Sequence, residues 1–214
     1  MTPAEVEKII ALEVSDPSAR LCVYLGALCG LRRGEVRGLQ WGDVDLAEKI
    51  IHVQHNFVEV DGLKEPKKGS VRFVPILSVV KDAFEAMGKL SPWKEPGDLV
   101  FFNLKERQLP VGETYIKNRF DITLDAIGIN KDERKRRRLT FHGLRHTYVT
   151  LGRLSGLSDL EIQALAGHRS AAMMEHYSHA AQVIDFKAAL SRMGKILEVT
   201  ENSEEKEVFI VGKA

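Results

Sequence analysis

Apolar residues recur at helical spacing through most of the chain. Residues 2–5 (TPAE) combine a capping-box sequence with proline at the first helical position, and apolar positions at helical spacing follow. A second, largely buried helix is predicted at residues 19–29, where Gly30 ends it. The same periodicity returns in six later segments: 78–90, 113–127, 141–155, 158–166, 170–178 and 181–196.

A different pattern interrupts the helices between residues 50 and 77. Residues 50–60 are rich in β-branched side chains, an Asp-Gly pair follows, and residues 71–76 form another short apolar run. These features predict a small antiparallel sheet of about three strands, with its last turn at residues 66–70. One more strand is predicted at residues 207–211 (EVFIV). The expected fold class is α+β: a helical bundle with a small sheet.

Composition places the chain among ordinary soluble globular proteins. Its 214 residues are 44% apolar and 29% charged, enough for one large domain or two small ones. No apolar run approaches a membrane span, and the N-terminus lacks a signal sequence, so we expect a cytoplasmic location. Cys22 and Cys29 lie two helical turns apart, too far for a disulfide, and are expected to be core thiols.

The distribution of charge is more informative than the net charge of +1. Residues 198–214 carry five Glu and two Lys, which leaves residues 1–197 with a net charge of +4. Residues 131–138 (KDERKRRR) contain six basic and two acidic side chains. Such a run is often a solvated loop, but its position just before HGLRH favours contact with phosphate.

Four separated segments hold polar residues that a plain core does not require: GLRRGE, KEPKKGSVRF, HGLRH and GHRSAAMMEHYSH. Each residue has an ordinary explanation when taken singly. On that explanation, Arg32 would be a surface arginine paired with Glu35. Lys67 would be a solvated turn lysine, and Tyr177 would be a half-buried core tyrosine. No single residue decides between such explanations and a shared site.

Together the segments resemble the tyrosine recombinase (phage integrase) family. GLRRGEVRGLQWGDVD is similar to its first arginine box, with Arg32 as the catalytic arginine and Glu35 as its supporting acid. KKGSVRFVPI resembles the hairpin that supplies the lysine, here Lys67. HGLRHTYVT is similar to the His-x-x-Arg box, and LAGHRSAAMMEHYSH to the final box. The resemblance thus assigns six catalytic positions: Arg32, Lys67, His142, Arg145, His168 and Tyr177.

The resemblance implies a catalytic domain over residues 1–197 and an acidic linker with a terminal strand over residues 198–214. Its chemistry is DNA cleavage and rejoining through a 3′-phosphotyrosine on Tyr177, with no metal, ATP or other cofactor. It also implies contacts with double-stranded DNA, which we expect from a set of basic residues: Lys68, Arg72, Arg136, Arg137, Arg138 and Arg169.

Family members act as DNA-bound assemblies, often tetramers, although an isolated chain is also compatible with a monomer. They pass a C-terminal segment to a neighbouring protomer, and residues 180–211 suit that role; folding back on the same domain is equally compatible. Met1 directly precedes the capped first helix, so we expect the family's separate N-terminal DNA-clamping domain to be absent. Such a shortened chain is expected to bind DNA weakly and in a salt-dependent way.

Three alternatives remain open at this point. His142 and His146 have the i, i+4 spacing of zinc hydrolases, but Gly143 replaces the glutamate that such a motif needs. A DNA-binding accessory protein that has lost catalysis is the second alternative. A type IB topoisomerase or telomere resolvase is the third, because these enzymes share the chemistry.

Overall fold

The computed structural model describes residues 1–12, 15–66, 71–167 and 186–197. Nine α-helices lie in these residues: α1 (Pro3–Ala11), α2 (Pro17–Ala27), α3 (Arg33–Gly38), α4 (Ser78–Leu90), α5 (Glu113–Ala126), α6 (Lys131–Arg136), α7 (Phe141–Leu154), α8 (Asp159–Ala166) and α9 (Phe186–Ile196). Among the described helices, none has both the length and the apolar character of a membrane span. The mainly helical α+β class is confirmed.

Local capping signals set several helix starts. Thr2 Oγ1 accepts the backbone N–H of Glu5, whose carboxylate accepts the backbone N–H of Thr2 at 2.8 Å. Ser158 and Glu161 repeat this capping box at the start of α8. Because each box satisfies helix-end donors within four residues, both starts were readable from the sequence.

Helix α2 is the centre of the hydrophobic core. Residues 21–27 are all buried, and the helix packs against α4, α5 and α7. Cys22 and Cys29 are both free and fully buried, which confirms their interpretation as core thiols. Cys29 lies just beyond the C-terminal end of α2.

The sheet has three antiparallel strands, the predicted number, in the order β1 (Val44–Asp45), β2 (Ile50–Val53) and β5 (Arg72–Pro75). Strand β1 lies before the predicted region of residues 50–77. The β-branched run at residues 50–60 does not form one strand, because β2 ends at Val53. Asp43 accepts hydrogen bonds from Gln54 and His55 at 2.8 Å, which turns the chain there. A separate hairpin of β3 (Asn56–Val58) and β4 (Gly62–Lys64) follows and packs against α3.

The basic run 131–138 is mostly helical rather than a loop. Within it, Arg137 binds Glu5 Oε1 at 2.6 Å, which ties α6 to α1. Arg136 and Arg138 are exposed.

Helix α9 folds back on its own domain. Met193 and Leu197 are buried, and Arg192 Nη2 lies 3.0 Å from Glu161 Oε1 of α8. In this single chain, residues 186–197 thus pack on their own domain, and the exchange of a C-terminal segment with a neighbouring protomer stays a prediction. The predicted helix at 170–178 and the strand at 207–211 lie outside the described residues.

Candidate active site

Arg32 is held at the start of α3 by Glu35, its predicted supporting acid. The Arg32 side chain donates from Nη1 to Glu35 Oε1 at 2.7 Å, and its backbone N–H donates to Oε2 at 2.8 Å. The Glu35 carboxylate is buried, whereas the Arg32 side chain is 35% exposed. Glu35 therefore fixes both the backbone and the guanidinium of Arg32, whose side chain remains partly exposed.

Arg145 reaches the same place from α7. Thr140 caps this helix by accepting the N–H of Gly143 at 3.2 Å, and His142 and Arg145 follow in its first turns. Arg145 is buried and donates to the carbonyl oxygens of Gly30 and Ala166. His142 lies at the surface of the same helix, its ring centroid 5.8 Å from that of His146.

Arg72 is the third guanidinium of the cluster. It binds Glu35 with both terminal nitrogens, Nη1 to Oε1 and Nη2 to Oε2, each at 3.0 Å. Its Nε donates to the carbonyl of Leu165 at 2.9 Å. The side chain is 5% exposed, so it lies in the interior and not at the surface where contact with DNA was expected. The expectation of a DNA contact at Arg72 is corrected accordingly.

The three arginines bind three successive carbonyl groups at the end of α8. Arg72 binds Leu165, Arg145 binds Ala166, and Arg32 Nη2 binds Gly167 at 3.0 Å. These carbonyls carry the negative end of the helix dipole and lack partners within the helix.

Gly167 closes α8 in the left-handed conformation, with φ 66°. Gly167 directly precedes His168 in the sequence.

Positive charge dominates the potential at this cluster. The pKa of Arg145 is lowered to about 10, first by burial and then by the charges of Arg32 and Arg72. The charges of Arg32 and Arg72 each lower the pKa of Arg145 by more than the charge of Glu35 raises it. Burial alone would raise the pKa of Glu35, but hydrogen bonds from Arg72 and Arg32 lower it, so the carboxylate is ionised at neutral pH. The cluster can attract and orient an anion.

His142 stands at the edge of this positive region with its pKa lowered. Partial burial is the largest cause, followed by the nearby charges of His146, Arg145 and Arg32. Its imidazole is therefore mostly neutral at pH 7 and can accept a proton.

A cleft of about 690 Å³ begins beside this imidazole. Its lining comes from α3, β3, α5 and the start of α7, and includes Arg32 and His142. An ion pair between Arg33 and Glu113, 2.6 Å long and half exposed, joins α3 to α5 at the cleft.

Half of the predicted catalytic set can be located in the structure. Arg32, Arg145 and His142 come together as described, although they are far apart in sequence. Another group of predicted site residues lies outside the described residues: Lys67, Lys68, His168, Arg169 and Tyr177. Among the described residues, no group of three or more His, Cys, Asp and Glu side chains is arranged to hold a metal ion.

The interior position of Arg72 had a signal in the sequence that our interpretation missed. Side chains alternate along a strand, so Arg72 shares a face with Val74, while Phe73 points the other way. Val74 is fully buried and Phe73 is 39% exposed. A basic residue on the buried face of a strand indicates a buried partner, which here is Glu35.

Comparisons with known proteins agree with this geometry. The sequence profile of the phage integrase family matches residues 1–183. The integrase of Staphylococcus phage L54a is 29% identical over 177 residues, covering 76% of this chain and 48% of that protein. The shufflon-specific DNA recombinase of Escherichia coli is 26% identical over 157 residues, covering 73% of this chain and 33% of that protein. This chain thus spans a third to about half the length of these curated relatives.

Solved structures show the same fold. The Tn1549 transposon integrase in complex with transposon right end DNA superposes with a TM-score of 0.60 at 23% identity, covering 91% of this chain and 65% of that one. XerA recombinase gives a TM-score of 0.61 at 24% identity, covering 91% and 63%.

Proposed function

Since this chain belongs to the phage integrase family, we propose that it breaks and rejoins DNA at specific sites through a covalent bond to Tyr177. The observation that carries the proposal is the meeting of Arg32 and Arg145 at the end of α8, with His142 beside them. The segment that contains His168 and Tyr177 begins directly after this point.

The guanidinium groups suit a reacting phosphodiester. Negative charge grows on its non-bridging oxygens as a nucleophile attacks, and guanidinium forks match the geometry of those oxygens. Such donors are already ordered before the reaction, since Arg145 is fixed by two backbone carbonyls and Arg32 by Glu35. Removing one preorganised donor costs about 3–4 kcal/mol at the barrier.

The remaining roles follow the family resemblance. Tyr177 Oη attacks phosphorus, the bond from phosphorus to the 5′ oxygen breaks, and a 3′-phosphotyrosine forms. The phenol proton passes to His142, whose lowered pKa leaves it neutral and able to accept it. Lys67 gives a proton to the departing 5′ oxygen, and His168 donates a hydrogen bond to the phosphate. Attack by a partner strand's 5′-hydroxyl reverses these steps and rejoins the DNA.

Double-stranded DNA is the proposed partner, and exposed basic side chains near the site contact it. Arg136 and Arg138 are exposed, whereas Arg137 is tied to Glu5. We assign Lys68 and Arg169 to the same surface by sequence. Affinity is expected to fall steeply with salt concentration. Assembly into a tetramer on DNA belongs to the same proposal, and sedimentation of the protein with and without DNA tests it.

A covalent-capture assay tests the reaction itself. The substrate is a pool of duplexes with randomised sequence around a nick and a label on the 5′ end of the nicked strand. Loss of the short fragment with the free 5′-hydroxyl traps the covalent product, and SDS electrophoresis shows it as a labelled protein band. We expect an adduct that persists in EDTA and disappears in Tyr177→Phe.

The outcomes of this assay separate the alternatives. An adduct that survives Tyr177→Phe removes Tyr177 from its role, and an adduct that requires a divalent metal supports metal-assisted chemistry. DNA binding without any adduct indicates an accessory protein. Relaxation of supercoiled plasmid by the monomer, without exchange between duplexes, indicates a topoisomerase.

A further inference from the structure

We infer that Arg72 is a positioning residue for strand transfer: it orients the guanidinium of Arg32 through Glu35 and fixes the end of α8 beside it. The inference rests on the proposed function for its activity readout. This role inside the protein takes the place of the DNA contact that was expected of Arg72 from the sequence.

The contacts of Arg72 use the planar fork that distinguishes arginine from lysine. Both terminal nitrogens bind the two oxygens of Glu35 at 3.0 Å, and Nε binds the carbonyl of Leu165 at 2.9 Å. A lysine ammonium has no fork that can meet both carboxylate oxygens and the carbonyl together. One side chain therefore joins β5, α3 and α8 in a fixed geometry.

Arg72 and Arg32 share the Glu35 carboxylate atom by atom. Oε1 accepts Nη1 of Arg72 and Nη1 of Arg32, while Oε2 accepts Nη2 of Arg72 and the backbone N–H of Arg32. Without the bidentate partner, the carboxylate can rotate, and Arg32 loses the group that sets its direction. Arg32 is one of the two guanidiniums assigned to the phosphate, so its orientation bears on the rate.

The packing around Arg72 excludes a direct role on DNA. Its side chain is 5% exposed, and the last turn of α8 lies against it. A Cβ added to Gly167 would stand 3.0 Å from Arg72 Cδ. A phosphate outside the protein would therefore have little access to the Arg72 side chain.

The first experiment compares Arg72→Lys with Arg119→Lys in the full chain. Arg119 is a matched control, because it is partly buried and pairs with Asp16, the N-cap of α2, away from the cluster. For Arg72→Lys we expect the adduct rate to fall about 10²-fold, the effect of misplacing a reacting geometry by about 1 Å. Affinity for a labelled duplex is expected to stay within about threefold, with an unchanged salt slope. In Arg72→Met, which removes the charge, a salt slope smaller by about one would identify Arg72 as a phosphate contact and overturn the inference.

A double variant separates positioning from mere stabilisation. Replacing a buried ion pair by apolar residues of similar size often preserves stability, whereas removing one partner does not. We expect the double change Glu35→Met with Arg72→Met to unfold in urea closer to wild type than Arg72→Met alone, yet to remain slow in adduct formation. Recovery of the rate together with stability would show that neither Arg72 nor Glu35 orients Arg32, and it would overturn the inference.

A spectroscopic readout keeps the inference independent of activity. The ¹H–¹⁵N signal of Arg32 Nε, assigned by its loss in Arg32→Lys, is expected to shift in Arg72→Lys and to stay in place in Arg119→Lys. If the wild type forms no adduct, the proposed function fails, and this signal alone decides the role of Arg72. An unmoved Arg32 signal overturns the inference.

Discussion

Replacing Glu35 by glutamine tests the physical centre of the site. The carboxylate is 1% exposed and accepts four hydrogen bonds, two from Arg32 and two from Arg72. An amide oxygen accepts at most two of them, and the new NH₂ group would face guanidinium N–H donors. The variant thus leaves buried positive charge without its counter-ion at almost unchanged volume.

The expected cost is about 3–5 kcal/mol, the range for removing one partner of a buried ion pair. The lost bonds give a similar figure, since two hydrogen bonds to a charged group contribute about 1.5–3 kcal/mol each. A domain of this size loses about 2–4 °C in Tm per kcal/mol, so we expect a decrease of roughly 6–20 °C. Urea denaturation at pH 7, followed by circular dichroism, measures the free energy. The exposed Glu48→Gln serves as control and should change it by less than about 0.5 kcal/mol.

The pH dependence supplies a second check on Glu35. Its pKa lies below the ordinary value of 4.5 in the folded protein. A carboxyl of this kind stabilises the fold above its unfolded pKa, and the contribution is lost as pH falls through the folded value. The gap between wild type and Glu35→Gln should therefore be constant from pH 6 to 8 and shrink below about pH 4.5. A cost equal to that of Glu48→Gln, or a gap that persists in acid, would refute the reasoning.

Three further predictions follow from other parts of the structure. Gly30→Ala should lower the free energy of unfolding by about 2–4 kcal/mol, because φ is 66° and the new Cβ would lie 2.6 Å from the Tyr148 ring. Gly97→Ala, whose Cβ would meet open space, is the control in thermal denaturation, and equal Tm values would contradict the prediction. Both cysteine thiols are buried, which raises their pKa, so Ellman's reagent should label them only in urea; labelling of the native protein would show that the core opens there. The rate of adduct formation should be independent of pH from about 7 to 8 and should decrease only below pH 6.5, because the pKa of His142 is lowered. An inflection above pH 6.5 that disappears in His142→Asn would contradict this prediction.

Local chemistry allowed much of the fold to be predicted from the sequence. The capping boxes at Thr2 and Ser158 and the left-handed glycine at Gly167 fixed helix ends through contacts within four residues. The family resemblance of the four motifs predicted which residues would meet, and Arg32, His142 and Arg145 do lie together. The residue pattern at 50–60 did not predict where strand β2 ends. Gln54 and His55, just after the strand, bind Asp43, which lies outside it.

The sequence by itself determined most of the described helices, the thiols of the core and, through the family resemblance, the candidate chemistry, because these depend on neighbouring residues and residue types. Only the tertiary structure decided that Arg72 faces inward to Glu35 and that three arginines bind successive carbonyls of α8. Those contacts join segments that are distant in the chain. Each depends on which face of a strand or helix the packed core covers, and burial is a property of the assembled fold and not of any local segment.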